Sequence, residues 1–219
     1  MAETKYTPRL IDQFLGQKIK GLPAIAIDGA KGVGKTSSAK RLASTVIRLD
    51  IASEREAVEA TPELIMVKEP PILMDEWQRL PEVWDCIRRS VDDNNSPGRF
   101  LLTGSAHPIR ANIHSGAGRI VRMRMRPLSL EERQLDTPIV RISELLQGNN
   151  ALKKLPASTK VSTYDYLQEI LTSGFPGIRN LNYEYAIDQL DGYINNIVDY
   201  EFSEQGLMVR RPQIQTHCF

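Results

Sequence analysis

The chain has 219 residues, of which 41% are hydrophobic and 25% are charged, as in an ordinary globular protein. This length accommodates one α/β core with a small appendage and is short for two full domains. Its 28 basic and 27 acidic residues leave a net charge of +1, which excludes a global electrostatic attraction to nucleic acid or acidic membranes.

Three features of the sequence favour a cytoplasmic protein with no membrane partner. The first residues lack the apolar stretch of a signal peptide, and no run approaches the roughly 18 apolar residues of a membrane-spanning helix. The two cysteines, Cys86 and Cys218, lie far apart, which favours a reduced pair over a disulfide.

The N-terminal segment predicts a helix. Thr7 followed by Pro8 is typical of an N-cap with proline at the first helical position. The apolar residues with helical spacing are Leu10, Ile11, Phe14, Leu15 and Ile19. We expect this helix to end near Gly21.

Residues 29–36, Gly-Ala-Lys-Gly-Val-Gly-Lys-Thr, match the G-x-x-x-x-G-K-S/T pattern of a phosphate-binding loop. An apolar run at 22–27 predicts a buried strand before it. After it, Ala39, Leu42, Ala43 and Val46 have the spacing of a helix. A strand, a glycine-rich loop and a helix in this order are the context that the motif requires.

This context predicts a protein that binds a nucleoside triphosphate. The glycines let backbone N–H groups surround a β-phosphate at the helix N-terminus. Lys35 is expected to reach the β- and γ-phosphates, and the Thr36 hydroxyl is expected to bind Mg²⁺. The candidate nucleotide-binding residues here are Gly29, Ala30, Lys31, Gly32, Val33, Gly34, Lys35, Thr36 and Ser37.

Strands and helices continue to alternate after the loop. The segments with strand character are 45–50, which begins at a helix end, 71–76, 100–105 and 119–126. Helical character covers 53–66 in pieces and 77–91, and 92–98 is polar and predicts a loop. The alternation predicts an α/β fold with a parallel, doubly wound sheet.

Asp75 and Glu76 end one of these strands and predict the second half of the nucleotide site. Asp75 is expected to hold Mg²⁺ directly or through water, and Glu76 to orient a water for attack on the γ-phosphate. Adjacent side chains of a strand point to opposite faces, so Glu76 must lie at or beyond the strand end.

Thr103, or as second choice Ser105, ends another strand and can bind the attacking water or the γ-phosphate. A strand-ending turn is the alternative interpretation.

The chain resembles the AAA+ ATPases over about residues 6–211, and most of all a prokaryotic group that pairs an AAA domain with a C-terminal domain of unknown function. Besides the phosphate loop, the resemblance rests on Ile72-Leu-Met-Asp-Glu76, Leu101-Leu-Thr-Gly-Ser105, Ser115-Gly-Ala-Gly-Arg-Ile120 and Arg126-Pro-Leu-Ser-Leu-Glu131. It implies a P-loop NTPase fold of three αβα layers, with a mainly parallel five-stranded sheet and then a small helical lid. The sensor strand would lie between the first and third strands.

The resemblance also implies residue roles. Asp75 would be the Mg²⁺ aspartate, Glu76 the catalytic base, and Thr103 or Ser105 the first sensor. Arg119 would be an arginine finger given to a neighbouring subunit of a homo-oligomer, and Arg179 a second-sensor arginine of the lid. A structural or surface arginine is the alternative at both positions. The implied cofactors are ATP and Mg²⁺.

The same resemblance guides the domain prediction. We expect an ATPase core at 1–135, a partial helical lid or linker at 136–211 with helices at 163–173 and 183–204, and an irregular tail at 212–219. Members of the group usually continue further, so we expect a C-terminal truncation. The missing domain would set the unknown protein partner.

Four functions remain open. The first is an Mg²⁺-dependent ATPase whose hydrolysis drives a conformational switch. The second is a small-molecule kinase, and the third is a nucleotide-binding remnant that does not hydrolyse. Nucleic-acid binding has weaker support from Arg122, Arg124 and Arg126 on one strand face, where a solvated or paired edge strand is favoured. His107, His114 and His217 lack the spacing of a zinc site.

Overall fold

The computed structural model describes residues 6–105, 116–135, 140–147 and 158–197. The strands of this part of the chain are β1 (Ala24–Asp28), β2 (Thr45–Arg48), β3 (Ile72–Asp75), β4 (Phe100–Gly104) and β5 (Ile120–Arg124). Its core helices are α1 (Leu10–Lys18), α2 (Lys35–Lys40), α3 (Ala52–Ala60) and α4 (Glu82–Asp93), with 3₁₀ helices at Pro62–Ile65 and Trp77–Arg79. Its later helices are α5 (Ile142–Leu146), α6 (Thr163–Leu171), α7 (Pro176–Arg179) and α8 (Tyr183–Asn196).

The five strands form one parallel sheet in the order β2-β3-β4-β1-β5. The strand β4, which is predicted to carry the sensor residue, therefore lies between β1 and β3, as the resemblance implied. Asp75 is opposite Thr103 in the register of β3 and β4, and Thr103 is opposite Ile27 of β1. Because the strands are parallel, the phosphate loop, Asp75 and Thr103 all meet at the carboxyl edge of the sheet.

Helices cover both faces of the sheet. On one face, Ile25, Leu73 and Leu101 pack with residues of α1 and α2, including Leu15 and Ala39. On the other face, alternate strand residues pack with the side of α3 and α4; this cluster includes Ala26, Met74, Leu102, Val58, Trp84 and Ile87. The predicted α/β fold with three αβα layers is thus confirmed.

Four predicted element boundaries are wrong. The first helix begins at Leu10 after Arg9, not after Thr7, because Asp12 accepts a hydrogen bond from the Arg9 backbone N–H (2.8 Å) and closes the first turn there. The helix after the phosphate loop is shorter than predicted. It ends at Lys40, and Val46 pairs with Leu73 in the sheet.

The segment predicted as one helix at 77–91 is divided. The 3₁₀ helix Trp77–Arg79 ends at Leu80, and α4 begins after Pro81, which fixes its backbone and has no N–H to donate to the preceding turn. The helix α4 then continues to Asp93, into the predicted loop. The rings of Trp77 and Trp84 still pack together, with centroids 4.8 Å apart.

Two of the later helices, α6 and α8, correspond to the two helices predicted after the core. The predicted helix at 163–173 is α6, whose Ser162 cap accepts a hydrogen bond from the Asp165 N–H. The helix predicted at 183–204 is α8, described to Asn196. Between them, the Gly174 carbonyl accepts from the Leu128 N–H (2.7 Å), and Phe175 packs against the core on the side of the phosphate loop. The segment between α6 and α7 therefore contacts the core beside residues 29–36.

Several predictions lie outside the described residues. They concern the tail at 212–219, His107, His114, His217 and Cys218. Cys86 is a partly buried free thiol, and burial raises its pKa. In the described ranges, no helix combines the length and the apolar composition that crossing a membrane requires.

Candidate functional site

The phosphate loop turns from β1 into α2 through glycines that no other residue could replace easily. Gly34 is the N-cap of α2 and has a φ of 101°, in the left-handed region. A Cβ atom on Gly29 would overlap the carbonyl oxygen of Met125. After Gly34, the N–H groups of the first helical turn have no intrahelical acceptor. Donors of this kind are suited to phosphate oxygens.

Lys35 folds back over the loop. Its Nζ donates to the carbonyl oxygens of Gly29 and Ala30, both at 2.9 Å, and the residue is 5% exposed. The amine is thus held inside the turn where the sequence places the phosphates. Its position agrees with the predicted role, although the role itself stays a prediction.

Two hydroxyl groups converge on one carboxylate oxygen at the sheet edge. Asp75 Oδ1 accepts from Thr36 Oγ1 at 2.7 Å and from Thr103 Oγ1 at 2.5 Å. Asp75 is 6% exposed and Thr103 is 1% exposed. The structure therefore brings together the predicted Mg²⁺ ligands and the first-choice sensor.

The donor set fits Mg²⁺. This ion favours hard oxygen ligands, and proteins usually supply one or two of them while phosphate and water complete the shell. The Thr36 hydroxyl and the Asp75 carboxylate are two such oxygens in direct contact. In the part of the chain that the structure describes, no group of three or more His, Cys, Asp or Glu side chains is placed to hold a metal alone.

Glu76 lies just beyond β3 in a left-handed conformation, with a φ of 56°. Gln78 Nε2 donates to Glu76 Oε2 and also to Ser105 Oγ, at 3.2 Å in the second case. Gln78 was not predicted as a site residue. Its only sequence signal is its position two residues after Glu76, in the tight 3₁₀ turn. These three side chains form a second polar cluster at the carboxyl edge.

The two predicted arginines are each paired with a carboxylate of the same chain. Arg119 precedes β5 at the amino edge of the sheet, where Ile120 is opposite Ala24, and its Nε is 2.7 Å from Asp92 Oδ1. Arg179 forms two hydrogen bonds with Glu169, at 2.6 and 2.8 Å. The Arg179 hydrogen bond holds the pKa of Glu169 below its usual value. Thus Arg119 cannot reach the loop of its own chain.

A cavity of about 480 Å³ lies beside the loop. Its lining residues come from the N-terminal segment, from the loop with α2, and from α7 with the residue that follows it: Tyr6, Thr7, Arg9, Gly32, Gly34, Ser37, Arg41, Pro176, Gly177 and Asn180. The Tyr6 hydroxyl donates to Asp12 (2.7 Å), and the Arg41 guanidinium lies 4.6 Å from the Tyr6 ring centroid. Burial and the Asp12 hydrogen bond raise the pKa of Tyr6 to about 12. The cavity wall is thus polar and aromatic.

Arg122 and Arg124 lie on β5, an edge strand that pairs with β1, and Arg126 follows it. We call these three residues the arginine stripe. Arg122 Nε is 2.7 Å from Asp28 Oδ2, so part of the stripe is paired within the chain. This contact favours the interpretation as a paired edge strand over a nucleic-acid surface.

Comparison with known proteins identifies a family. A family model described as an AAA domain matches residues 22–134, just over half of the chain. No curated protein matches the sequence significantly. Among solved structures, a Walker-type ATPase of Pyrococcus abyssi has a TM-score of 0.49 and 14% identity, over 91% of this chain and 75% of that one. The AAA domain of FIGL-1 in complex with ADP has a TM-score of 0.47 and 14% identity, over 99% and 88%.

Proposed function

The chain belongs to the AAA domain family, and from this premise we propose that it binds ATP with Mg²⁺ and hydrolyses it to ADP and phosphate. The observation that carries the proposal is the contact between Thr36 and Asp75, 2.7 Å apart. They are 39 residues apart in sequence, yet they join the end of the phosphate loop to the end of β3. This is the pair of oxygens that a magnesium nucleotide needs beside its phosphates.

The loop and four side chains at the carboxyl edge have a part in the proposed reaction. The N–H groups of the loop bind phosphate oxygens, and Lys35 neutralises their charge. Thr36 and Asp75 would hold Mg²⁺, which would offset negative charge on the phosphate oxygens. Glu76 orients a water and takes its proton as the water oxygen bonds to the γ-phosphorus. The bond from that phosphorus to the bridging oxygen breaks, and ADP leaves.

The cavity of about 480 Å³ would take the base and ribose, because it opens directly beside Gly34 and Ser37. Tyr6 and Arg41 supply an aromatic face and a cation on one wall. The lid supplies Pro176 and Gly177 on the other. Adenine is the base that the family resemblance implies, and the sequence has no Asn-Lys-x-Asp segment of the kind that GTPases use.

The lid gives the proposed hydrolysis a mechanical consequence. The cavity is lined by both the core and the lid, so a nucleotide seated there would contact both. Loss of the γ-phosphate would change which contacts hold the lid, and Arg179 would act as second sensor after leaving Glu169. The core at 1–135 and the lid at 136–211 are proposed as the two units of this switch. The unknown protein partner would respond to it.

A nucleotide-binding protein without hydrolysis is the second candidate. One observation favours it: Arg119, the predicted finger, lies at the amino edge of the sheet and pairs with Asp92 of its own chain. Hydrolysis that uses Arg119 would then require a homo-oligomer. The two candidates share the nucleotide site and differ in turnover alone.

Calorimetric titration with Mg-ADP tests the shared part of the proposal. The parent chain is expected to bind, and Lys35→Ala to bind at least about tenfold more weakly, because a charged hydrogen-bond donor to phosphate is lost. Lys40→Ala, an exposed lysine of α2, is the matched control and should bind as the parent does. A parent chain that binds no nucleotide would contradict the proposal.

A further inference from the structure

Arg9 is a buried arginine that contacts the phosphate loop from outside the predicted motif. Its Nη1 donates to the Val33 carbonyl oxygen at 2.6 Å, and its Nη2 donates to the Arg126 carbonyl oxygen at 2.7 Å. Its Nε donates to Glu132 Oε1 at 3.0 Å. One guanidinium thus joins the N-terminal segment, the loop and the segment after β5.

Glu132 holds this guanidinium in one orientation. The two side chains are 4% and 7% exposed, so water competes little for their charges. Glu132 also accepts hydrogen bonds from the backbone N–H groups of Leu10 and Ser129, both at 2.7 Å. Each part of the pair is therefore fixed by contacts besides the ion pair itself.

The contact with Val33 matters for the next residue. In a trans peptide the carbonyl oxygen and the following N–H point in opposite directions. A hydrogen bond from Arg9 to the Val33 oxygen therefore fixes the direction of the Gly34 N–H, which points away from Arg9. Gly34 has a φ of 101°, and a glycine at this position has little resistance of its own to rotation of the peptide plane.

We propose that Arg9, held by Glu132, is a positioning residue that keeps the Gly34 N–H directed at the bound phosphate. Arg9 is also one of the residues that line the cavity beside Gly34 and Ser37, where the base and ribose are proposed to lie. This inference rests on the proposed nucleotide site for its ligand. It assigns no contact with the nucleotide to Arg9, which acts through the peptide plane.

The test compares two arginines that bind carbonyl oxygens in different places. Arg9→Lys removes the planar fork beside the loop. Arg99→Lys is the matched control, because Arg99 binds the carbonyl oxygens of Ser90 and Asn94 at the other end of the sheet. Affinity for Mg-ADP is measured by calorimetry below the unfolding transition of each variant, and the Gly34 amide signal is followed by ¹⁵N NMR without nucleotide.

The expected result is an Mg-ADP Kd raised about tenfold in Arg9→Lys and changed less than about twofold in Arg99→Lys. The Gly34 amide signal should shift or broaden in Arg9→Lys alone. An unchanged Kd in a folded Arg9→Lys, or an equal loss in both variants, would overturn the inference. If Arg9→Lys does not fold, Glu132→Gln is tested in its place. We expect it to bind Mg-ADP about threefold more weakly than the parent. An unchanged Kd in Glu132→Gln would overturn the inference.

The two proposals can fail separately. A parent chain that binds no Mg-ADP would refute the nucleotide site. The NMR comparison would still decide whether Arg9 orients the Gly34 peptide, since it uses no nucleotide. Normal binding by the parent with an unaltered Gly34 signal in Arg9→Lys would refute the inference alone.

Discussion

The Thr36 hydroxyl donates to Asp75 Oδ1 across 2.7 Å, which joins the last residue of the phosphate loop to the last residue of β3. The contact spans β4, which lies between β1 and β3 in the sheet. Thr103 at the end of β4 completes the arrangement by donating to the same oxygen. A parallel sheet thus assembles the site from three separate segments.

The first prediction concerns magnesium. Asp75→Asn keeps a carbonyl oxygen that can accept from Thr36 and Thr103 but removes the negative charge. We expect the gain in nucleotide affinity on adding Mg²⁺ to shrink at least about tenfold, since a charged ligand is lost. The measurement is the Kd for ADP with and without Mg²⁺. Asp93→Asn, at the exposed end of α4, is the control, and an undiminished magnesium effect in Asp75→Asn would argue against the assigned ligand.

The second prediction concerns Gln78, which donates to Glu76 and Ser105. Gln78→Met removes this donor, so we expect kcat for ATP hydrolysis to fall about tenfold with KM little changed. Stability should be maintained, because Gln78 Oε1 is buried without a hydrogen-bond partner among the described residues and methionine removes that unmet acceptor. Steady-state kinetics and thermal unfolding measure the two effects.

The control for Gln78 is Gln17→Met on the exposed side of α1. It introduces the same side chain away from the site and should change neither kcat nor the unfolding temperature. An unchanged kcat in Gln78→Met would show that Glu76 needs no such donor.

The third prediction concerns Arg119 at the amino edge of the sheet. If a neighbouring chain receives this arginine, then Arg119→Ala and Lys35→Ala should each be inactive alone. A mixture of the two should recover phosphate release, because an intact loop from one variant then meets an intact Arg119 from the other. Arg48→Ala, whose side chain is 48% exposed, is the arginine control. No recovery at any mixing ratio would speak against a finger in trans.

The fourth prediction concerns pH. Burial raises the pKa of Glu132, but hydrogen bonds from Arg9, Ser129 and Leu10 outweigh it and hold the pKa below 4.5. The unfolded chain therefore binds this proton more readily, and the contribution of Glu132 to stability is lost as pH falls below about 4.5. Relative to Glu132→Gln, the parent should be more stable by roughly 3 kcal/mol at pH 7 and by less at pH 4.

Urea unfolding at both pH values measures this difference in the free energy of unfolding. Glu56→Gln, an exposed glutamate of α3, should show no such change with pH. A gap between the parent and Glu132→Gln that stays constant from pH 7 to pH 4 would contradict the assignment.

The sequence predicted the parts of the site that local patterns encode. The phosphate loop is one continuous motif, and Asp75 with Glu76 ends a short apolar run that predicts a buried strand. The placement of Thr103 beside Asp75 came from the family resemblance, since nothing in the local pattern sets the order of strands. The structure confirms the fold and that strand order, while the catalytic roles stay predictions.

The sequence could not predict Arg9 and Gln78 as parts of the site. The acceptors of Arg9 lie 24, 117 and 123 residues away, and no periodicity relates positions so distant. Thr7-Pro8 also indicated an earlier helix start, which would have placed Arg9 inside the first turn. Its extended backbone instead lets the guanidinium reach the loop. Val46 was misplaced for a similar reason, because pairing with β3 outweighs its helical spacing.

Phosphate release from Mg-ATP tests the central claim most directly, measured over a range of protein concentrations for the parent, Lys35→Ala and Glu76→Gln. We predict release by the parent, and a loss of at least about 100-fold in Glu76→Gln with ATP binding retained, because the water loses its base. Lys35→Ala should lose both binding and release. ATP binding without release by the parent at every concentration, or release that Glu76→Gln leaves unchanged, would contradict the proposed hydrolysis.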